Sequence, residues 1–408
     1  MSAAGREGRK YSSNPGVTIP VVRSNRSRVV FVVCSLAALA SLRAVAGPQA
    51  TGRDPGSRAL SIFSDVLALT RANYVESTES RTLLEGAYDG MSDALDPFSY
   101  YVPASDRATY QAHQSSGAVS PGIVIARRGG FPYVVAPLPG SPAEKAGVKP
   151  GDLVDSVDGK GMRNAPLWKI MAALEGPEGT RVDVGLFRVA DEKKVSLRVA
   201  RGRFEPLPPT VKWETDVGVV RVPSFHAGTA PALRKIVDEA NKRAVTRLVL
   251  DLRGAIGGDV ADAAPSASLF IDKGVVAKVA TRKVATRPLE TAGERAWRGR
   301  LVVLMDDSTG GPSEVFAAAL KDRGAASTVG EATAGMAFVQ RLVPTASGGS
   351  LYMTVARYVS PAGTMLAGRG ILPDERVLVF PGEGGEKDPV LERGLEVVRR
   401  EDPARRAA

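Results

Sequence analysis

From Val217 onward the chain alternates apolar, strand-like runs with amphipathic, helix-like segments, and this alternation limits the fold more than any other feature. Val217–Val222, Arg247–Leu252 and Leu301–Met305 read as strands, while Ala232–Ala240, Ala261–Phe270 and Glu314–Lys321 read as helices. Such a series requires crossover connections and predicts a layered α/β fold. The last strand feeds into Asp306-Asp307-Ser308-Thr309-Gly310-Gly311-Pro312, a tight turn with an amphipathic segment behind it. A strand-to-helix elbow of this kind presents a nucleophile or holds an anion. The first of the sheet's turns is similar in character: Asp251-Leu252-Arg253 closes a buried strand and leads into Gly254-Ala255-Ile256-Gly257-Gly258. Adjacent glycines after a strand can offer backbone N–H groups to a developing oxyanion, although a Gly-Gly turn alone is a weak signal.

At 408 residues the chain is too long for one ordinary core, which predicts two or three domains. Its formal charge of +10 invites a nucleic-acid reading. However, Arg6, Arg9, Lys10, Arg23, Arg26, Arg28 and Arg43, set against Glu7, place +6 of that charge in the first 46 residues. No dense basic run with interleaved aromatics follows, so nucleic acid is not an expected partner. The basic lead precedes an apolar run, Val29–Leu42, and then Ala44-Val45-Ala46. That order reads as a secretory signal, and an uncleaved membrane anchor at residues 29–42 is the competing reading. The expected location is therefore exported, in the periplasm or cell envelope. Cys34, the sole cysteine, lies inside the apolar run, so no disulfide is expected. Two distant histidines give no metal-ligand set, and no glycine pattern matches a nucleotide-binding loop, so neither a metal nor another cofactor is expected.

After a polar linker (47–57), near-helical spacing of Leu60, Phe63, Val66 and Leu69, and a second helical stretch, Arg81–Leu95, predict a small helical cap over 58–113. Asp96-Pro97 stops the second stretch, and His113 reads as a surface histidine. Short strands and glycine turns then take over. Gly122-Ile123-Val124-Ile125 and Tyr133-Val134-Val135 read as strands, Asp158-Gly159 as a hairpin turn, and Leu167–Leu174 as a helix. The segments GSPAEKAGVKPGDLVDSVDGK and LEGPEGTRVDVGL closely resemble a PDZ domain, here spanning 114–203. The resemblance implies that an extended peptide, usually a protein C-terminus, adds as a strand beside Ile123, Val124 and Ile125. Amides of the preceding loop, at Pro121 and Gly122, would hold its carboxylate. Proline has no N–H to give, which weakens that capture and leaves internal-strand binding or a purely structural module open.

The order of the pieces extends the resemblance. VGVVRVPSF, LVLDLRGAIGG, SEVFAAALKDRGAASTVGEATAG, YMTVARYVSPAG and GRGILPD follow one another as in the C-terminal processing (tail-specific) serine peptidases. The likeness implies a crotonase-like α/β core at 204–382, with the PDZ domain inserted ahead of it and a C-terminal helix and tail at 383–408. It also implies a chemistry: a serine at the elbow attacks the peptide carbonyl, a lysine acts as base, and a glutamine orients the lysine. A lysine can serve as base only where burial lowers its pKa.

Carried over residue by residue, the pattern fails at its centre. Alignment on Ser313-Glu314 puts Gly311 at the nucleophile position, and alignment on Gly330-Glu331 and Gln340 puts Met336 at the base position. Gln340 matches the orienting glutamine, and Gly257 and Gly258 match the oxyanion-hole glycines. Sliding the register does not recover a base, because no lysine occurs between Lys321 and Lys387. Ser308 and Ser313 are the fallback nucleophiles, beside Thr309, and His226 is a remote candidate base. The preferred expectation is a catalytically degenerate homologue that binds peptides or protein C-termini. An active serine peptidase using Ser308 or Ser313, and an inert scaffold, are the alternatives.

Overall fold

The computed structural model describes residues 55–282, 286–291, 293–379 and 388–400. The expected signal or anchor at 1–46 and the linker residues 47–54 lie outside the described residues. The chain divides into two compact units at Ser80. The first holds helix α1, Pro55–Asn73, which begins inside the stretch expected to be linker. A proline is well placed to open a helix because the N–H it lacks has no intrahelical acceptor there. The apolar stripe that predicted this helix is not covered: Leu60, Ile62, Val66 and Leu69 are all more than half exposed.

The second unit opens with α2 (Ser80–Asp93), β1 (Tyr100–Val102) and α3 (Arg107–Ser115). An antiparallel sheet follows, built from β2 (Ile123–Arg128), β3 (Phe131–Pro137), β4 (Leu153–Val157), β5 (Lys160–Gly161), β6 (Arg181–Arg188) and β7 (Lys193–Ala200). Two helices interrupt it, α4 (Pro142–Ala146) and α5 (Leu167–Leu174). Its strand order is β2-β3-β4-β6-β7, with β5 paired to β4, so β2 is an edge. Asp158 and Gly159 form the expected hairpin turn, both with positive φ (47° and 75°).

The remaining elements are β8 (Thr210–Trp213), β9 (Gly218–Arg221), α6 (Thr229–Lys242), β10 (Arg247–Asp251), α7 (Val260–Ala267), β11 (Val275–Thr281), β12 (Arg287–Glu290), β13 (Arg300–Met305), α8 (Pro312–Asp322), β14 (Ser327–Gly330), β15 (Phe338–Pro344), β16 (Ser350–Val359), β17 (Glu375–Arg376) and α9 (Pro389–Arg399). A six-stranded sheet of order β17-β14-β13-β10-β9-β8 is parallel except at β8. A second sheet, β1-β16-β11-β12 with β15 on β16, is antiparallel. Because β1 pairs with β16, the β2–β7 sheet is an insertion between two parts of one larger body.

Strand periodicity explains the layers. Leu248 and Leu250, with Leu301, Val303 and Met305, face a core shared with α6, α7 and α8. Val249, Val302 and Leu304 face the opposite side and pack against Val390, Val397 and Val398 of α9. Each such side chain, fully buried, contributes roughly 1.5–3 kcal/mol. Helix α9 is also fixed electrostatically. Asp388, its N-cap, accepts from Leu391 N at 3.0 Å and takes two bonds of 2.8 Å from Arg253. Burial pushes the Asp388 carboxyl up, but those donors outweigh it and hold the group below its ordinary value. Asp388→Ala should therefore lower stability by about 1–2 kcal/mol, read as a reduced urea midpoint with an unchanged slope.

Candidate active site and peptide groove

The elbow is built from buried polar contacts rather than from its turn residues alone. β13 ends at Met305, and the half-buried Asp306 carboxylate accepts from Gly254 N at 2.8 Å, Ser308 N at 3.1 Å and Thr309 Oγ1 at 2.9 Å. Burial pushes the Asp306 carboxyl up from its ordinary value against these donors. The bonds tie the glycine turn after β10 to the elbow after β13. Gly310 N donates to Ala255 O at 3.0 Å and completes the join.

Gly311 then takes φ 63° and ψ −117°, and Pro312 opens α8. The third helical residue, Glu314, is fully buried. Its Oε2 accepts from Gly311 N at 2.9 Å and Met336 N at 2.6 Å, and its Oε1 accepts from Gly335 N at 2.6 Å and Thr333 Oγ1 at 2.5 Å. One carboxylate oxygen thus holds the amides of both Gly311 and Met336. The structure brings Gly311 and Met336 side by side. Burial raises the Glu314 carboxyl to about 7 despite the four donors.

Around this hub the site is apolar. A Cβ placed on Gly310 would lie 3.3 Å from both Ile256 Cδ1 and Met336 Sδ. Ile256 and Met336 join a hydrophobic cluster with Ala126, Val135, Ala136 and Leu138 from the inserted sheet. Leu138 Cδ2 reaches to 3.0 Å of where a Cβ on Gly257 would sit. Gly258 admits no side chain, since a Cβ there would lie 1.7 Å from Phe225 O. Among the described residues the N–H groups of Gly257 and Gly258 donate to no protein acceptor. A cavity of about 580 Å³ is lined by residues of both the inserted sheet and the elbow region, among them Arg128, Tyr133, Asp307, Phe338 and Arg357.

The groove beside β2 is the second candidate. Arg127 N points away from β3 and donates to Pro97 O at 2.9 Å. By strand alternation, Ile123 and Ile125 turn their backbone groups to that same edge. Pro121 and Gly122 are buried, and Gly122 N donates to Ser120 Oγ at 3.0 Å. Of the loop donors that would meet a carboxylate, one is absent and another is taken. Ile125 is buried and Ile123 and Val124 are half-buried.

Residues 216–377 match peptidase family S41, and residues 133–188 match the PDZ domain. The chain is a PDZ-containing S41 peptidase homologue. It is 30% identical over 309 residues to a probable CtpA-like serine protease of Staphylococcus haemolyticus, covering 75% of this chain and 62% of that protein. A probable CtpA-like serine protease of Staphylococcus aureus is 29% identical over 77% of this chain and 64% of its own length. This chain thus spans less than two thirds of the length of those relatives. A carboxy-terminal-processing protease of Bartonella bacilliformis is 28% identical, with 85% and 82% covered. The solved photosystem II D1 C-terminal processing protease superimposes with a TM-score of 0.61 and 26% identity, over 84% of this chain and 97% of that one.

In this S41 homologue the fallback residues are not assembled into a catalytic pair. Ser308 Oγ donates to Asp307 Oδ1 at 3.2 Å. Ser313 is fully buried in the first turn of α8, and its hydroxyl has no partner. His226 Nδ1 accepts from Gly228 N at 3.2 Å, and its Nε2 is buried without a partner. Lys321 pairs with Asp374 at 2.8 Å, on the helix that follows the elbow. Gln340 lies on β15 with its Nε2 buried and unbonded. His113, partly exposed, lies 2.8 Å from Glu175, just past α5. The sequence reading used Glu314 to align the chain and missed its role. A glycine N-cap followed three residues later by glutamate was the available signal, because that spacing lets the carboxylate reach back to the N-cap amide.

The Glu314 carboxyl carries a pH signature. Its folded value, about 7, stands above the ordinary 4.5, so the folded protein holds this proton more tightly than the unfolded chain does. The associated stability is complete below pH 4.5 and is lost as pH rises through 7. The loss should be on the order of 3 kcal/mol between those limits. Urea unfolding of the parent and of Glu314→Gln at pH 5 and pH 8 checks this: the stability gap between them should change with pH, with the parent losing more on going to pH 8.

Proposed function

We propose that this S41 homologue is an exported, catalytically silent protein that binds extended peptide segments of protein partners in the cell envelope. The observation that carries the reading is the occupancy of the reaction centre. Glycine and methionine stand at the nucleophile and base positions, and both backbones are bound to the Glu314 carboxylate. Neither residue has a nucleophilic or titratable side chain. Removing a nucleophile or base from a serine protease lowers kcat by about 10⁶-fold, leaving binding and oxyanion terms. Part of the frame for those terms remains: among the described residues the N–H groups of Gly257 and Gly258 donate to no protein acceptor. Export rests on the basic lead and apolar run of the first 46 residues.

The carboxy-terminal-processing name of a relative supplies the ligand class, a protein chain presented in extended form. Loss of the Pro121 donor, and engagement of the Gly122 N–H by Ser120, favour main-chain pairing along β2 over capture of a free carboxylate. A serine peptidase built on Ser308 or Ser313 is the second reading. It is disfavoured because Ser313 is sealed in the core and Ser308 is bonded to a carboxylate with no base beside it. An inert scaffold is the third.

Incubation with unfolded β-casein and with a serine-reactive fluorophosphonate tests the proposal. The expected result is no cleavage above a buffer control and no labelling. Robust turnover in the parent, lost in Ser308→Ala or Ser313→Ala, is the outcome that overturns it.

A further inference from the structure

Both walls of the PDZ groove are engaged by one segment of the same chain. On the strand wall, Pro97 O accepts from Arg127 N at the open edge of β2. The Arg127 side chain adds bonds to both oxygens of Asp93, at 3.0 and 2.8 Å, and to Ala165 O, at 2.9 Å, just ahead of α5. On the helix wall, α3 runs alongside α5. Asp106 meets Lys169 at 2.8 Å near one end, and His113 meets Glu175 at 2.8 Å near the other. Between these pairs the Tyr110 ring stands edge-on to Trp168, with centroids 5.7 Å apart. Tyr100 and Tyr110 share the hydrophobic cluster that contains Ile125.

We propose that residues 93–113 form an intrachain latch on the PDZ groove, and that an extended peptide pairing with β2 must release it. This rests on the peptide-binding reading above and adds its regulation. The pairing at Pro97 ends the free edge just past Ile125, so an incoming strand longer than the Ile123–Ile125 stretch competes with Pro97 for the Arg127 amide. The helix-wall contacts are the weaker part of the clamp, since β1 is also held by its pairing with β16. The Asp106–Lys169 and His113–Glu175 pairs are partly solvent-exposed, the class of contact whose loss shifts an equilibrium by about fivefold. A strand that gains main-chain hydrogen bonds can offset a latch of that size.

The test uses a fluorescein-labelled Thr-Val-Thr-Val-Thr-Val peptide, with free and amidated C-termini, on the full chain. Hydrogen exchange of residues 97–113 reports the latch, and fluorescence anisotropy reports binding. The expected result is binding about fivefold tighter in Asp106→Asn/His113→Gln than in the parent, with faster exchange at 97–113. Peptide added to the parent should also accelerate exchange there while protecting Ile123 and Ile125. Tyr110→Ala, which removes the ring contact instead of the ion pairs, should act in the same direction.

Equal affinity in parent and variants whose latch exchanges faster overturns the proposal. So does protection of β2 without release of 97–102, absence of binding once the latch is loosened, or unchanged exchange in all variants. Tighter binding accompanied by hydrolysis of the peptide would sustain the latch while refuting the silent-enzyme reading.

Discussion

The buried carboxylate of Glu314 is the interaction on which the centre of this protein depends. It draws together the first turn of α8 and the loop from Thr333 to Met336, which are separated by some twenty residues of chain, through four hydrogen bonds. Bonds to an ionised acceptor are roughly twice as strong as neutral ones, and they specify geometry as well. Burial works against the charge, and the contest leaves the carboxyl near neutrality. Three of the four donors are backbone amides, so the bonds themselves call on no side chain at 311 or 336, while the positive φ of Gly311 (63°) favours glycine there.

The elbow is also part of a hydrophobic core. A serine and lysine pair needs a pocket with room for substrate and a desolvated amine. Glycine and methionine need neither. Met336 and Ile256 instead extend a hydrophobic cluster to Val135, Ala136 and Leu138 of the inserted sheet. Burying such apolar side chains is favourable by roughly 1.5–3 kcal/mol each, whereas a buried unpaired amine is costly. Contact between the inserted sheet and the elbow is thus reinforced by the apolar side chains of Met336 and Ile256.

Elements whose signal is local were legible in the sequence. The central strands, the Pro312 helix start, the Asp158-Gly159 hairpin and the helix Leu167–Leu174 each carry their own periodicity or turn chemistry, and each stands where the residues placed it. The sheet formed by β1, β16, β11, β12 and β15 was not anticipated, because it pairs Tyr100 with Tyr352 and Lys278 with Val359. Such long-range partners leave no short-range pattern. The partner of His113 was out of view for the same reason: Glu175 lies 62 residues away. Helix α1 shows the converse, since its apolar spacing predicted the helix correctly but said nothing about whether the stripe would be covered. At the site, the residue types at 311 and 336 were readable, while the carboxylate that joins them was visible only as a capping spacing.

The PDZ loop sharpens what kind of ligand the module can hold. A free carboxylate approaching Gly122 would have to displace the Ser120 hydroxyl, exchanging one hydrogen bond for another, and at Pro121 it would find no donor. Exchange of that kind yields little, because the net value of a hydrogen bond is only about 1 kcal/mol and the displaced hydroxyl must find a new partner. An extended backbone meets a different surface. The groups of Ile123 and Ile125 face the open edge of β2, and the sheet has no further strand of its own beyond them. Recognition there draws on the main chain of the ligand, which every sequence possesses, so selectivity has to come from the side chains that fit between β2 and α5 and from the energy needed to move residues 93–113 aside. On the reading proposed here, a module of this kind would discriminate by shape and by the strength of its own latch, and much less by terminal charge.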